Sequence, residues 1–163
     1  MQLANATRPL KGVPKFTIFI HAAGTSGLAQ TLRTARVAPD ILVIHDGEPG
    51  VERMCLRYRA RSKVQIPGVT PGAYAMDAFH NWLLLMVPGE TLSVDTFAAL
   101  EKWRHRKQDE CAGYLIRCGD DGRPELRFVN RAMVNWIGEI PPVPTQAGIF
   151  PGAILQTKAE RAA

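Results

Sequence analysis

Three short apolar runs constrain this chain more than any other feature: Phe16-Thr-Ile-Phe-Ile-His21, Asp40-Ile-Leu-Val-Ile-His45 and Trp82-Leu-Leu-Leu-Met-Val87. Unbroken apolar runs of strand length, bounded by Pro, Gly or turn residues, read as buried strands. Between the first two, Gly27 to Arg36 places Leu28, Thr31, Leu32 and Ala35 on one helical face. Strand, helix and strand make a βαβ unit, which is nearly always right-handed with parallel strands. The fold class expected is therefore α/β, Rossmann-like, with a mostly parallel sheet flanked by helices. Ligands in such sheets bind beyond the carboxyl ends of the strands. That marks the segments Ala22–Ser26 and His45–Gly50 as the expected site.

The remaining elements follow from local chemistry. Thr25 or Ser26 is the expected cap of the first helix, because a hydroxyl satisfies free N–H groups of the first turn. A basic helix is expected from Val51 to Arg61, a short strand from Lys63 to Pro67, and a helix from Thr70 to His80 with Ala73, Met76 and Ala78 inward. Ser93 reads as the N-cap of a helix from Val94 to Lys107, with Phe97, Leu100 and Trp103 as its apolar stripe. Ala112–Arg117 and Glu125–Val129, joined across Gly119-Asp-Asp-Gly122, read as a C-terminal hairpin. Pro141-Pro-Val-Pro144 breaks regular structure. Trp103, Trp136 and Phe150 are expected in the core. Residues 1–14 form an expected flexible leader, 15–155 a single domain, and 156–163 a frayed tail.

The chain has 163 residues, 46% hydrophobic and 21% charged, a size and balance suited to one globular domain. Its net charge of +5 favours anionic partners without choosing among them. Arg53, Arg57, Arg59, Arg61 and Lys63 form the densest basic cluster, read either as a solvated face or as a phosphate-facing patch. Only Tyr58 supplies an interleaved aromatic, which argues against nucleic acid. The three cysteines, Cys55, Cys111 and Cys118, argue against a disulfide framework and for a reducing compartment. Neither they nor the four dispersed histidines have metal-site spacing. Gly24–Gly27 lacks the lysine of a phosphate loop, and Ser26 lacks evident catalytic partners. With no apolar signal core and no run long enough to span a bilayer, the expected location is the cytoplasm.

Four blocks in order resemble family-2 glycosyltransferases of the GT-A fold, above all the branch that modifies lipopolysaccharide core sugars. They are Phe16 to Leu32, Ile41 to Gly50, Tyr74 to Ser93 (with Trp82-Leu-Leu-Leu-Met-Val-Pro-Gly-Glu-Thr-Leu-Ser93), and Gly113 to Val143. The last carries Gly113-Tyr-Leu-Ile-Arg117, Leu126-Arg-Phe-Val-Asn-Arg131 and Trp136-Ile-Gly-Glu-Ile140. The resemblance spans roughly residues 15–155 and implies a truncated GT-A-like domain that handles a nucleotide-diphosphate sugar.

The same resemblance exposes departures. In the family, the strand matching Trp82–Met86 ends in an Asp-x-Asp motif that holds a divalent cation against the diphosphate. Here those places are Val87 and Gly89, with Glu90 as the one adjacent carboxylate. The metal site therefore reads as lost, since a hard cation needs several oxygen ligands. The family's acid at the end of the second strand falls on His45, with Asp46 one residue later. The positions implied for nucleotide binding are Ala22, Asp46, Gly47 and Glu90, with Arg53 and Arg57 as phosphate clamps in place of a cation. Glu139 is the candidate general base. Two functions remain open: a transferase of weak or no activity, or a non-catalytic module that binds a nucleotide, a glycan or a protein partner.

Overall fold

In the computed structural model, residues 15–105 and 111–157 are described. The expected leader, residues 106–110 and residues 158–163 lie outside them. The elements in chain order are β1 (Phe16–Ala22), α1 (Leu28–Ala35), β2 (Asp40–His45), α2 (Pro49–Arg57), β3 (Arg61–Val64) and a 3-10 turn (Pro71–Asp77). Then come β4 (Trp82–Met86), β5 (Glu90–Leu92), α3 (Val94–His105), β6 (Gly113–Cys118), β7 (Arg123–Asn130) and β8 (Ala147–Thr157).

All eight strands form one sheet in the order β3-β2-β1-β4-β7-β6-β8-β5. Four neighbouring pairs are parallel and three antiparallel, with β1 parallel to both β2 and β4 at the centre. The expected α/β class and the hairpin β6–β7 are both present. Along β1, Phe16, Ile18, Ile20 and Ala22 face the helical layer, joined by Leu28 and Leu32 of α1 and by Val51 and Cys55 of α2. Phe19 faces the other way, onto Tyr74, Ala75 and Ala78. Burial on both faces explains why β1, β2 and β4 are continuously apolar. An aromatic nucleus of Trp82, Trp103, Tyr114, Phe128 and Phe150 joins α3 to the hairpin, with ring centroids 4.8–6.1 Å apart.

Several expected boundaries shift, each for a local reason. Gly27 itself is the N-cap of α1, in the left-handed region at φ 72. The helix α2 begins earlier, because Pro49 occupies its first turn with φ already helical. It ends at Arg57, since Arg59 turns left-handed at φ 57 and Ala60 N–H closes back on the Cys55 carbonyl at 2.8 Å. The segment expected as a helix at 70–80 is a 3-10 turn, so its inward set is Pro71, Gly72, Tyr74 and Ala75. Ala73 and Met76 face solvent, and Ala78 is buried as expected. Ser93 caps α3 as expected, its Oγ accepting the Thr96 N–H at 3.1 Å. Trp103 and Phe150 are core; Trp136 is half-buried against Phe19.

The lower end of the sheet, where β2 begins, is fastened by Asp40. Its carboxylate accepts Thr17 Oγ1 at 2.7 Å, the Phe79 N–H at 3.0 Å, and Arg61 Nε and Nη2 at 2.9 and 2.8 Å. Burial alone would raise this carboxyl; the bonds from Arg61, Thr17 and Phe79 outweigh it and hold the group below its ordinary value. A carboxyl depressed in the folded state contributes stability that is present above its unfolded pKa and lost as pH falls through its folded one. We therefore expect Asp40→Asn to lower unfolding free energy by about 3 kcal/mol at pH 7. In urea titrations, the gap between wild type and variant should shrink as pH falls below about 4. A gap that stayed constant with pH would mean that the Asp40 charge is not what fastens this end.

Candidate functional site

The carboxyl ends of β1, β2 and β4 define the upper end of the sheet, and the loops that follow them build the candidate site. After β4 the chain makes a tight turn, Val87-Pro-Gly89, into β5. Gly89 has φ 100 and donates its N–H both to the Gly27 carbonyl at 3.0 Å and to Thr31 Oγ1 at 2.9 Å. Thr31 Oγ1 in turn donates to the Glu90 carbonyl at 2.7 Å. A Cβ on Gly27 would lie 2.7 Å from the Gly89 nitrogen, so the approach of α1 to this turn requires glycine at 27, while Gly89 is favoured by its positive φ.

Glu90, the one carboxylate beside the expected metal position, is buried and fully engaged. Its oxygens take Arg127 Nη1 and Nη2 at 2.5 and 2.9 Å, and Oε1 also accepts the Val87 N–H at 2.7 Å. Arg127 further holds Glu125 at 2.7 Å and donates to the Leu85 carbonyl at 3.2 Å. Burial would push the Arg127 guanidinium down, yet the Glu90 contacts prevail and raise it. The cation beside Glu90 is thus the chain's own arginine. The Val87 side chain offers no ligand atom, and an aspartate at 89 would need a backbone that L side chains avoid. Among the described residues no three of His, Cys, Asp and Glu converge as a metal-ligand set. The donor groups present do not fit the divalent cation that the family resemblance implies.

Beside this turn, on the face opposite the helical layer, lies a cleft of about 680 Å³. Its walls are largely apolar: Phe19, Leu85, Met86, Val87, Leu115, Leu126, Trp136 and Val143. Its polar atoms come from His21, Glu125, Arg127 and Glu139. His21 Nε2 lies 2.8 Å from Gln65 Oε1, which orients the imidazole at the end of β1. The segment bearing Trp136 is pinned over the 3-10 turn. There the Gly72 N–H donates to the Gly138 carbonyl at 3.1 Å, Thr70 Oγ1 donates to the Ile137 carbonyl, and Trp136 Nε1 donates to the Gly138 carbonyl at 3.0 Å.

The implied site residues are spread rather than gathered. Glu139 lines the cleft and is exposed. Ala22 is buried with its methyl in the helix-side core. Asp46 and Gly47 form the exposed turn after β2, where Asp46 Oδ1 accepts the Glu48 N–H at 3.4 Å and Gly47 takes φ 99. Neither lines the cleft. His45, at the place of the family's acid, is fully buried, and its Nδ1 accepts the Gly47 N–H at 3.0 Å. Arg53 is exposed on α2, and Arg57 lines a different cleft, at the lower end of the sheet. Arg127, His21 and Trp136 were not legible as site residues from their local sequence. The pairing that matters joins Glu90 to a residue 37 positions away.

One carboxylate fills the space where α2 begins. Glu48 is the residue before its first turn. A Cβ on Gly24 would lie 2.9 Å from Glu48 Oε2, and one on Gly50 3.7 Å from Oε1. Helix N-termini attract anions, and the Glu48 carboxylate lies near this one, although its side chain makes no capping hydrogen bond. Burial pushes the Cys55 and Cys118 thiols up to about 11, far from the range of a nucleophilic thiolate.

No protein-family profile matches the chain, and no curated protein matches it. Among solved structures, it is similar to S. aureus TarS residues 1–349, with 17% identity and a TM-score of 0.48. The match covers 67% of this chain and 37% of that one. A likeness at this distance assigns neither activity nor ligand. No helix among the described residues is long and apolar enough to cross a membrane.

The pairing of Arg127 with Glu90 makes a clear prediction. Arg127→Ala should lower stability by about 3–5 kcal/mol, because it leaves a carboxylate buried without its partner. Arg127→Met combined with Glu90→Leu should recover most of that loss. Chemical denaturation of the three proteins checks this. A double variant no more stable than Arg127→Ala would show that the pair stabilises through more than mutual charge compensation.

Proposed function

We propose that this chain is a glycosyltransferase-family-2-like domain with a degenerate donor site. It acts as a non-catalytic binding module whose upper cleft takes the uncharged face of a sugar or glycan. One observation carries the reading: the carboxylate beside the motif position is closed off by Arg127, while Val87 and Gly89 replace the other ligands.

A nucleotide diphosphate needs compensating positive charge. The cleft lining supplies two carboxylates, Glu125 and Glu139, against one guanidinium that Glu90 already holds. A diphosphate placed there would meet net negative charge in a partly desolvated site, an arrangement that costs several kcal/mol without a counter-ion. A sugar ring has no such cost. Its C–H face packs on an indole and on aliphatic walls, and its hydroxyls donate to carboxylates. Binding clefts of this kind are mostly apolar with a few placed polar groups, which describes Trp136, Leu85 and Leu126 with Glu125 and Glu139. Glu139 then serves as a hydroxyl acceptor and not as a general base.

Calorimetric titration with UDP, GDP and CDP, with and without manganese, tests the reading against a working donor site. The expected outcome is no micromolar nucleotide binding and no effect of manganese. Neutral oligosaccharides, screened by tryptophan fluorescence, should bind in a manner that Trp136→Ala weakens about tenfold. Manganese-dependent micromolar binding of one nucleotide would overturn the proposal and restore the nucleotide-sugar function. Gly89→Asp is expected to create no manganese site and to cost about 1–2 kcal/mol of stability, because it forces a side chain into the left-handed region.

A further inference from the structure

The lower end of the sheet carries a second cleft, of about 620 Å³, lined by Arg36, Arg57, Arg59 and Arg61 together with Asp40, Tyr58 and Phe79. It opens where β2 starts, five residue steps and about 16 Å from the strand's carboxyl end. It is therefore separate from the cleft proposed to hold a sugar, and does not depend on that reading. From its composition and geometry we infer that this cleft binds the phosphate groups of a soluble oligophosphate or phosphate ester.

Charge is the first argument. Among the described residues Asp40 is the only carboxylate in the lining, and Arg61 neutralises it through two contacts at 2.8 and 2.9 Å. Arg36, Arg57 and Arg59 have no carboxylate partner among the described residues. Three guanidiniums thus converge on one concavity without counter-charge. Arginine forks match phosphate oxygens bidentately and keep their charge at any physiological pH.

The ordinary explanation for such residues is that basic side chains near helix C-termini complement the helix dipole. Arg36 follows α1 and Arg57 closes α2, so that account covers both. It does not cover Arg59. This residue lies beyond α2 in the left-handed region, at φ 57, in the place where a helix stop usually takes glycine. The backbone there carries strain that glycine would relieve, and strained positions point to a use for the side chain. What the side chain adds is a third cation at the cleft.

Shape is the third argument, and it selects the source of the phosphate. The volume is that of a small-molecule site, and the arginines line a concavity and not a flat face. The aromatic walls are held in place by cations: Arg61 lies 3.6 Å over the exposed Phe79 ring, and Arg57 lies 5.9 Å from the centre of Tyr58. Phospholipid headgroups share the phosphate chemistry but present it on an extended surface.

Inorganic tripolyphosphate is the probe, titrated calorimetrically into the full chain at low and moderate salt. Micromolar binding that weakens with salt is expected. Arg57→Ala should reduce affinity at least tenfold. Arg59→Gly should do the same while leaving the melting temperature unchanged or higher, which separates a lost ligand contact from a damaged fold. Arg123→Ala, an exposed cation on β7, should change affinity less than twofold. In a parallel arm, sedimentation with phosphatidylglycerol vesicles should show no binding beyond that seen with phosphatidylcholine. No tripolyphosphate binding by folded protein at low salt would overturn the inference. So would equal losses from Arg123→Ala and Arg59→Gly, which would indicate diffuse charge. Retention by anionic vesicles without tripolyphosphate binding would overturn the soluble ligand in favour of a lipid surface.

Discussion

The link from Met86 to Glu90 governs the shape of the whole molecule. It joins β4, near the middle of the sheet, to β5 at its far edge, with β7, β6 and β8 between them. Four ladder spacings of about 4.8 Å put those strands roughly 19 Å apart in a flat sheet. Four residue steps reach at most about 14 Å. The sheet must therefore curl until its last strand returns beside α1. The register breaks at Tyr114/Leu115 and Leu115/Arg117, where β7 and β8 carry extra residues opposite β6, are irregularities of the kind that bend strands. The turn is then locked by Gly89 against Gly27, by Thr31 against Glu90, and by Arg127 against the Glu90 carboxylate.

This constraint bears on the side chains at positions 87 to 90. In the family that the sequence resembles, the turn after the fourth strand turns its side chains to a ligand. Here the equivalent turn presents no free carboxylate. Glu90 is committed to Arg127, the Gly89 N–H is committed to α1, and Val87 lines the cleft with methyl groups. A buried ion pair is weak evidence for added stability, since desolvating two charges offsets most of their attraction. What it secures is position, because a bidentate guanidinium–carboxylate contact tolerates little misalignment. The turn holds together two halves of a curled sheet, and its one carboxylate is engaged in that contact.

The central strands were legible because β1, β2 and β4 are buried on both faces and leave unbroken apolar runs. The hairpin was legible because Gly119 and Gly122 frame its turn. Where burial is one-sided or pairing is remote, local pattern fails. β5 has only three residues, too few for any period to show. β8 contains Pro151, which normally excludes a strand; it is tolerated because the pairing with β6 skips from Ile149 to Ile154 around it. The 3-10 turn at 71–77 has a period of three, so inward positions assigned at helical spacing fall on exposed Ala73 and Met76. The basic cluster was visible, but its destination was not. A helix that starts at the carboxyl ends of the strands must end at their other ends, which carries Arg57 and Arg59 away from the expected site.

That geometry sorts the molecule's charge. In a βαβ layer the helices run against the strands, so their N-termini meet the upper end and their C-termini the lower. The helix dipole then favours anions above and cations below. In nucleotide-binding members of such folds the anion above is a ligand's phosphate. Here Glu48 lies between Gly24 and Gly50 at the start of α2, while Glu125 and Glu139 line the cleft on the opposite face of the sheet. The side chains below are Arg36, Arg57, Arg59 and Arg61. The two ends of the sheet thus carry side chains of opposite sign. Above, acidic side chains predominate around the strand ends. Below, three guanidiniums exceed what two fractional helix dipoles offset, and the surplus is open to solvent in a concave site. A phosphorylated ligand is therefore drawn to the end of the sheet opposite the one where the fold would lead one to look for it.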